Sequence, residues 1–333
     1  PWREDLFHGA AFFDAAQCLE FRRQGLRSAV VGQEEPLVEF LGESFPADEK
    51  GRQAFLAEYA TEALPLVSII IPTHERPELF KQALESALAQ TYRNIEVIVS
   101  DNSEDARTEE LMKAYADDER IHYTHDAGLP AMQNWVRPLE RMRGEYFAYL
   151  FDDDLYAPEK IEHMADALSM EDGIAFVTSH RCAIDEAGNI VPDPAIDPLP
   201  VEETARIPGD LAICGLLEKQ ANFIGEYTTV LLPRSAKETV REVLTEEPRS
   251  ALVDVECWIR LLEKGDLLYI VDTLSYFRKH EGQSSNDPAI HAACARAWAK
   301  LLRERAAQES GMRRKKMFEQ AELIEMFLRA RGR

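Results

Sequence analysis

From residue 66 the chain alternates apolar runs with amphipathic stretches. Leu66-Val67-Ser68-Ile69-Ile70-Ile71-Pro72 is almost wholly apolar, the pattern of a strand buried on both faces of a parallel sheet. Behind it, Leu79, Phe80, Ala83, Leu84, Ala87 and Leu88 recur at i, i+3, i+4 and i+7. That spacing predicts a helix with one apolar face and Pro77 at its start. A second strand is predicted at Ile95–Ser100, a helix from Glu104 to Tyr115, and a short strand at Arg120–Thr124. Gly128 and Pro130 mark a loop before a helix that runs to Met142. Residues 145–151 are a fourth apolar, aromatic strand, which ends abruptly in Asp152-Asp153-Asp154, with Pro158 placed to open the next helix. This alternation predicts a mostly parallel sheet with right-handed crossovers. The polar strand ends (Thr73 to Arg76, Asp101 to Ser103, Asp152 to Asp154) then share one edge, where ligands bind in open α/β sheets.

The second half is less regular. A strand is expected at Ile174–Ser179, a hairpin turn at Asp185–Asn189, and a proline-rich loop over 191–208. A further strand covers Tyr227–Leu232. Val255, Trp258, Ile259 and Leu262 outline a helix, and short strands are expected at Leu267–Val271 and Leu274–Phe277. From Pro288 the chain reads as helical. Before residue 64 the pattern is weaker: a possible strand at Leu26–Gly32, then a broken linker over 41–63 leading into a helix marked by Phe55, Tyr59 and Leu64.

Composition narrows the function classes. The 333 residues carry a formal net charge of −22, which argues against nucleic-acid binding through phosphate contacts. The five scattered cysteines form no CxxC pair, so neither a disulfide framework nor a zinc site is expected, and a cytoplasmic setting fits. No apolar run reaches the roughly 18 residues of a membrane span. The basic run Arg313-Arg314-Lys315-Lys316 stands out on an acidic chain. It is either a solvated helix face or a contact with anionic lipid at the inner face of a membrane, or with a partner. The chain opens with Pro1, as an excerpt of a longer protein would. No GxGxxG follows the first strand and no GxxxxGK[ST] occurs, so dinucleotide and P-loop readings lose their support.

Three adjacent carboxylates repel unless a positive group neutralises them, and Mg²⁺ or Mn²⁺ suits oxygen ligands. The competing reading is an acidic solvated turn with Asp154 near a helix N-terminus.

Taken together, residues 66–286 resemble the family 2 glycosyltransferases of the GT-A fold. The resemblance is carried by Val67-Ser68-Ile69-Ile70-Ile71-Pro72-Thr73 with Arg76-Pro77, and by Glu96-Val97-Ile98-Val99-Ser100-Asp101-Asn102-Ser103. Asn134 before Gly144-Glu145-Tyr146, the aspartate triplet with Pro158, Asp254-Val255-Glu256 with Arg260, and His280-Glu281-Gly282 complete it. It implies an α/β fold with a mostly parallel central sheet flanked by helices. The expected parts are an N-terminal extension (1–64), a glycosyltransferase domain (65–287, with a nucleotide-binding half to 155 and an acceptor half from 156) and a helical tail (288–333). It implies a nucleotide-sugar donor, UDP-linked by preference, a Mn²⁺ or Mg²⁺ ion, and a glycan, lipid-linked or other hydroxyl acceptor; an oligomer is possible.

The resemblance also implies site residues. Asp152 and Asp154 form the D-x-D signature. One of Asp153 and Asp154 holds the metal, and Asp152 reaches the donor ribose or the metal. His280 approaches the metal or diphosphate. Asp101 binds the base of the nucleotide, with capping of a turn as its other reading. Pro72, Thr73, Glu75 and Arg76 border base or phosphates, and Asn134 braces the site. Asp254 takes the acceptor proton, with a helix N-cap as the alternative. Phe151 stands where many relatives have a further aspartate, and Val253 where they have a glutamate. The QxxRW segment of processive synthases is absent, so a single transfer is expected. Two rivals are a nucleotidyltransferase on a related fold and a non-catalytic glycan-binding module. The first lacks a basic, Gly-rich loop after strand one. The second sits badly with the intact acidic residues.

Overall fold

The computed structural model describes residues 12–26, 49–246, 250–280, 283 and 287–330. The chain divides into two compact units, Pro1–Leu66 and Val67–Arg333. In the first, α1 (Phe13–Arg23) and α2 (Glu49–Ala63) pack Ala16 and Leu19 against Phe55 and Tyr59. Arg23 pairs with Glu58 and Glu62 and lies 4.7 Å from the centre of the Tyr59 ring. Of the strand expected at Leu26–Gly32, Leu26 is irregular and the rest lies outside the described residues.

In the second unit, β1 (Val67–Thr73), α3 (Pro77–Leu88), β2 (Ile95–Asp101), α4 (Arg107–Met112), β3 (Ile121–His125), α5 (Ala131–Arg141) and β4 (Tyr146–Tyr149) follow the expected alternation. The order β3-β2-β1-β4 is parallel throughout. Every residue of β1 and β2 is buried, which is why these strands read as largely apolar runs in spite of Ser68 and Glu96, whose side chains bond each other. The register pairs Thr73 with Asp101, and Leu150 N–H reaches Ile70 O at 2.9 Å. The three polar strand ends therefore gather on one edge.

Beyond β4 the chain forms β5 (Leu155–Tyr156), α6 (Lys160–Met170), β6 (Ile174–Ile184), β7 (Ile190–Val191), β8 (Ala205–Ile207) and α7 (Gly209–Lys219). Then come β9 (Val230–Pro233), α8 (Lys237–Thr245), α9 (Val253–Leu262), β10 (Asp266–Arg278), α10 (Pro288–Gln308) and α11 (Gly311–Ala330). The sheet continues β4-β9-β6-β10-β5, with β9 antiparallel to both neighbours and β6 parallel to β10.

Several local expectations change. The two strands expected over 267–277 are one, whose register shifts between Ile270 and Ser275. Tyr227–Thr229 is a turn of 3₁₀ helix that leads into β9. Pro158 precedes α6, whose N-cap is Glu159. The loop over 191–208 contains β8, and α7 and α8 had not been foreseen.

Helices α10 and α11 pack through Trp298, Leu301, Leu302, Met317 and Ala321, and Arg303 grips Glu325 with two hydrogen bonds of 2.8 and 3.0 Å. Three of the four basic residues near the start of α11 have acidic partners: Arg313 with Glu309, Lys315 with Glu319, and Lys316 with Glu218. The run is a charge-compensated helix face. No helix among the described residues is long and apolar enough to cross a membrane.

Close backbone approach fixes one glycine. A Cβ on Gly144 would lie 2.4 Å from Tyr146 O and 2.6 Å from Ser68 N. Its N–H donates to Ser68 Oγ at 2.8 Å, and that hydroxyl donates to the buried Glu96 at 2.6 Å. Burial alone would raise the Glu96 pKa, but donors from Ser68 and Arg143 outweigh it and leave the carboxyl below its usual range. We expect Gly144→Ala to cost about 3 kcal/mol or more, read as a lowered urea midpoint. An unchanged midpoint would show that β1 and β4 can part here.

Candidate functional site

The carboxyl edge of β1, β2 and β4 is tied together before any ligand arrives. Asn134 on α5 donates to Thr73 O at 3.1 Å and to Asn102 Oδ1 at 3.0 Å. Asp101 accepts from Ser103 N at 2.9 Å and Tyr123 Oη at 2.7 Å. Glu75 has a positive φ of 56° and donates its N–H to Ser103 Oγ at 2.7 Å, while its side chain is exposed. Pro72 and Thr73 are buried and close β1.

The three aspartates face different ways. Asp152 accepts from Thr73 Oγ1 at 2.9 Å and from His74 N at 3.2 Å, and Arg76 lies 3.4 Å away. Burial, then Asp153, push its pKa up to about 6 against the pull of Arg76. Asp153 lies 2.9 Å from Arg76 and 3.1 Å from His280 Nε2. Asp154 turns inward and is 2 % exposed. It accepts from Thr228 Oγ1 at 2.7 Å and from Arg278 N at 3.1 Å. Burial, then Asp153, drive its pKa well above the usual value.

This geometry bears directly on metal binding. Asp154 is enclosed, with a donor on each oxygen. Asp153 and His280 form an oxygen–nitrogen pair beside Asp152. Catalytic Mg²⁺ is commonly held by one or two carboxylates, with waters and substrate phosphates completing the shell, and the Asp153–His280 pair fits that pattern. Among the described residues, no group of three or more His, Cys, Asp or Glu could hold an ion unaided.

Asp254 sits in the first turn of α9, whose N-cap is Leu252; it is not the cap. It accepts from Asn222 Nδ2 at 2.7 Å. Burial raises its pKa to about 6; the charge of Glu226 adds to this, and the N–H groups of Val255 and Asn222 oppose it. Asn222 also bonds Gly225 O at 2.9 Å, which in turn accepts from Trp258 Nε1 at 3.0 Å. The loop over 222–226 is thereby pinned to α9.

Both ends of this machinery border one cavity of about 990 Å³, lined by His280, Asn222, Arg181, Glu226, Phe223 and Phe277 among others. Sequence patterning had not singled out Asn222, Arg181, Glu226 or Thr228: Asn222 and Glu226 lie in no periodic stretch, and Thr228 falls unmarked within the run expected as a strand. Arg278, two residues before the His280-Glu281-Gly282 segment, was not singled out either. Of that segment, Glu281 and Gly282 lie outside the described residues. Phe151 packs on Trp135 with ring centres 4.6 Å apart, which gives this departure from the family pattern a place in the aromatic core.

Comparison with known proteins agrees with this architecture. S. aureus TarS in complex with UDP-GlcNAc superposes with a TM-score of 0.53 at 14% identity, covering 77% of this chain and 79% of that one. The likeness defines a glycosyltransferase fold of the GT-A type. Residues 68–224 match the glycosyl transferase family 2, and residues 1–59 match a glycosyltransferase-like family. An uncharacterized glycosyltransferase of Rickettsia conorii is 31% identical over 73% of this chain. The putative teichuronic acid biosynthesis glycosyltransferase TuaG of Bacillus subtilis is 27% identical over 62% of this chain and 75% of its own length. The chain belongs to the family 2 glycosyltransferases. It spans 39% of the length of the R. conorii relative.

The split within the triplet is open to test. Asp154→Ala strands Thr228 and the Arg278 N–H in the interior and should cost about 2–4 kcal/mol in urea unfolding. Asp153→Ala should stay within about 1 kcal/mol. Equal effects would mean that the inward and outward orientations are not as described.

Proposed function

We propose that this chain transfers one sugar per encounter from a UDP-linked donor to a hydroxyl of a glycan or lipid-linked acceptor, with inversion at the anomeric carbon. The observation that carries this reading is a single cavity bordered by His280, the partner of Asp153, and by Asn222, the partner of Asp254. The TarS complexes with UDP and with UDP-GlcNAc support the choice of donor.

In this reading the nucleotide lies along the carboxyl edge of β1 and β2. Asp101 and Thr73 frame the base. Pro72 and Glu75 shape the turn that presents Arg76, and Asp152 faces the ribose. Arg76 meets the diphosphate, where its guanidinium suits paired oxygens. Asp153 and His280 would hold Mn²⁺ or Mg²⁺, which would neutralise charge on the departing diphosphate. Of the two alternatives the sequence left open, Asp153 and Asp154, this reading takes Asp153, because Asp154 is buried with a donor on each oxygen. Asp254 takes the proton of the acceptor hydroxyl as its oxygen bonds the anomeric carbon and the bond to the diphosphate breaks. Inversion follows from attack opposite the leaving group. A pKa of about 6 leaves Asp254 mostly ionised at neutral pH yet more basic than an ordinary aspartate, which suits a general base. The acceptor half, from 156 on, supplies this base and the cavity.

Three outcomes are expected. Calorimetry should show UDP binding strengthened by Mn²⁺, with the metal-dependent part lost in Asp153→Ala; binding of UDP with no metal effect would remove the cation from the reading. Asp254→Asn should lower kcat by about 10²–10⁴-fold, followed as UDP release, with UDP affinity unchanged. Undiminished transfer would sink the base assignment. As pH falls through about 6, Asp254 gains the proton that stops it accepting another, so kcat should decline on the acid side. A flat profile down to pH 5 would contradict it.

A further inference from the structure

Arg181 and Glu226 form an unusual pair in the wall of the cavity. Arg181 comes from β6 and Glu226 from the loop pinned to α9. Arg181 Nε and Glu226 Oε2 lie 2.9 Å apart, and the Arg181 side chain is only 8% exposed. Yet neither atom makes a hydrogen bond, although both are buried. The charges attract, but the atoms lack the alignment a hydrogen bond needs. These two atoms are sealed from solvent, but both residues line the cavity, so the remaining guanidinium nitrogens and the second carboxylate oxygen are the groups a ligand there can meet.

The backbone is shaped to allow the pair. Gly225 has a φ of +104°, and a Cβ there would lie 2.4 Å from Thr229 Oγ1 and 3.0 Å from Arg181 Nη1. The residue next to Glu226 must therefore be small for the guanidinium to lie against the loop.

The rest of the lining indicates the ligand chemistry. Lys279 is matched by Asp193 at 2.6 Å, so this wall holds no surplus positive charge from that lysine for a polyanion. Phe223 and Phe277 offer apolar faces in the same cavity. An ion pair beside aromatic faces suits a polyol. Its guanidinium donates to one hydroxyl oxygen, its carboxylate accepts from a neighbouring hydroxyl, and ring C–H groups pack on the phenyl faces. We infer that Arg181 and Glu226 read adjacent hydroxyls of a neutral saccharide acceptor, and so set acceptor specificity. This deepens the transfer reading above and rests on it for the identity of the site, while its test stands apart from donor binding.

The test is saturation-transfer NMR with maltose and N-acetylglucosamine against glucuronate and glycerol 3-phosphate. It is run on the full chain, with and without UDP and Mg²⁺. Neutral sugars should give the stronger signals. Arg181→Met and Glu226→Gln should each weaken them by about tenfold or more and leave UDP affinity unchanged in calorimetry. If Arg181→Met lowers the melting temperature, the near-isosteric Glu226→Gln carries the comparison. Preference for the anionic ligands, equal binding by the variants, or no signal from any neutral sugar overturns the inference. Sugar binding without UDP binding sinks the donor reading alone. UDP binding without sugar binding sinks this one alone.

Discussion

Everything at the acidic edge depends on the burial of Arg278. Its residue exposure is nil, and a guanidinium in such a place must have its donors met. Nε bonds Asp153 O at 2.8 Å, Nη1 bonds Asp185 O and Glu186 O at 3.0 and 2.9 Å, and Nη2 bonds Gln82 Oε1 at 2.9 Å. Its own N–H holds Asp154. One side chain at the end of β10 thus ties together the triplet loop, the turn between β6 and β7, and α3. With the Asp153 carbonyl and the Asp154 carboxylate both held, the Asp153 carboxylate is left facing Arg76 and His280. The outward acid is outward because its neighbour is locked inward.

This is also where sequence reading reached its limit. The parallel half was legible in strand positions, helix phase and shared edge, because strands buried on both faces leave largely apolar runs. The aspartates were legible as a cluster and not as individuals. Their orientations are decided by Thr228, 74 positions after Asp154, and by Arg278, 124 positions after it. No local pattern encodes partners at that separation. The second half was read less well for a related reason. Its strands are short or shifted in register and its cavity is walled by loops, so the period-2 and period-3.6 signals are weak there.

Two carboxyls, Asp152 and Asp254, are pushed to about 6 mainly by burial, but their neighbours differ. Asp152 has a cation, Arg76, and a hydroxyl, Thr73, on one side and a second carboxylate on the other. Asp254 has a neutral amide, Asn222, and the charge of Glu226. A similar pKa therefore serves different ends. Beside Arg76 the acid belongs to a charge network that an anionic ligand can rearrange. Beside Asn222 no cation among the described residues pairs with it, so a proton is the species it is suited to receive. Environment separates the roles of like groups here, as it does wherever carboxylates share a site.

The construction of the two sides carries a consequence for specificity. The donor edge is made of strand ends held by sheet hydrogen bonds and by the Asn134 and Arg278 ties. The cavity wall combines Arg181 of β6 and Phe277 of β10 with the loops around residues 193–198 and 221–226 and with Lys279, His280 and Gln283. Loops accept substitution with less cost to the core. Asp254, rigid at the start of α9 and pinned through Asn222, is the fixed point the two sides share. In the transfer proposed above, acceptor choice can therefore drift through the loops while Asp254 and the strand-end residues stay in place, provided the Arg181–Glu226 pair keeps its position.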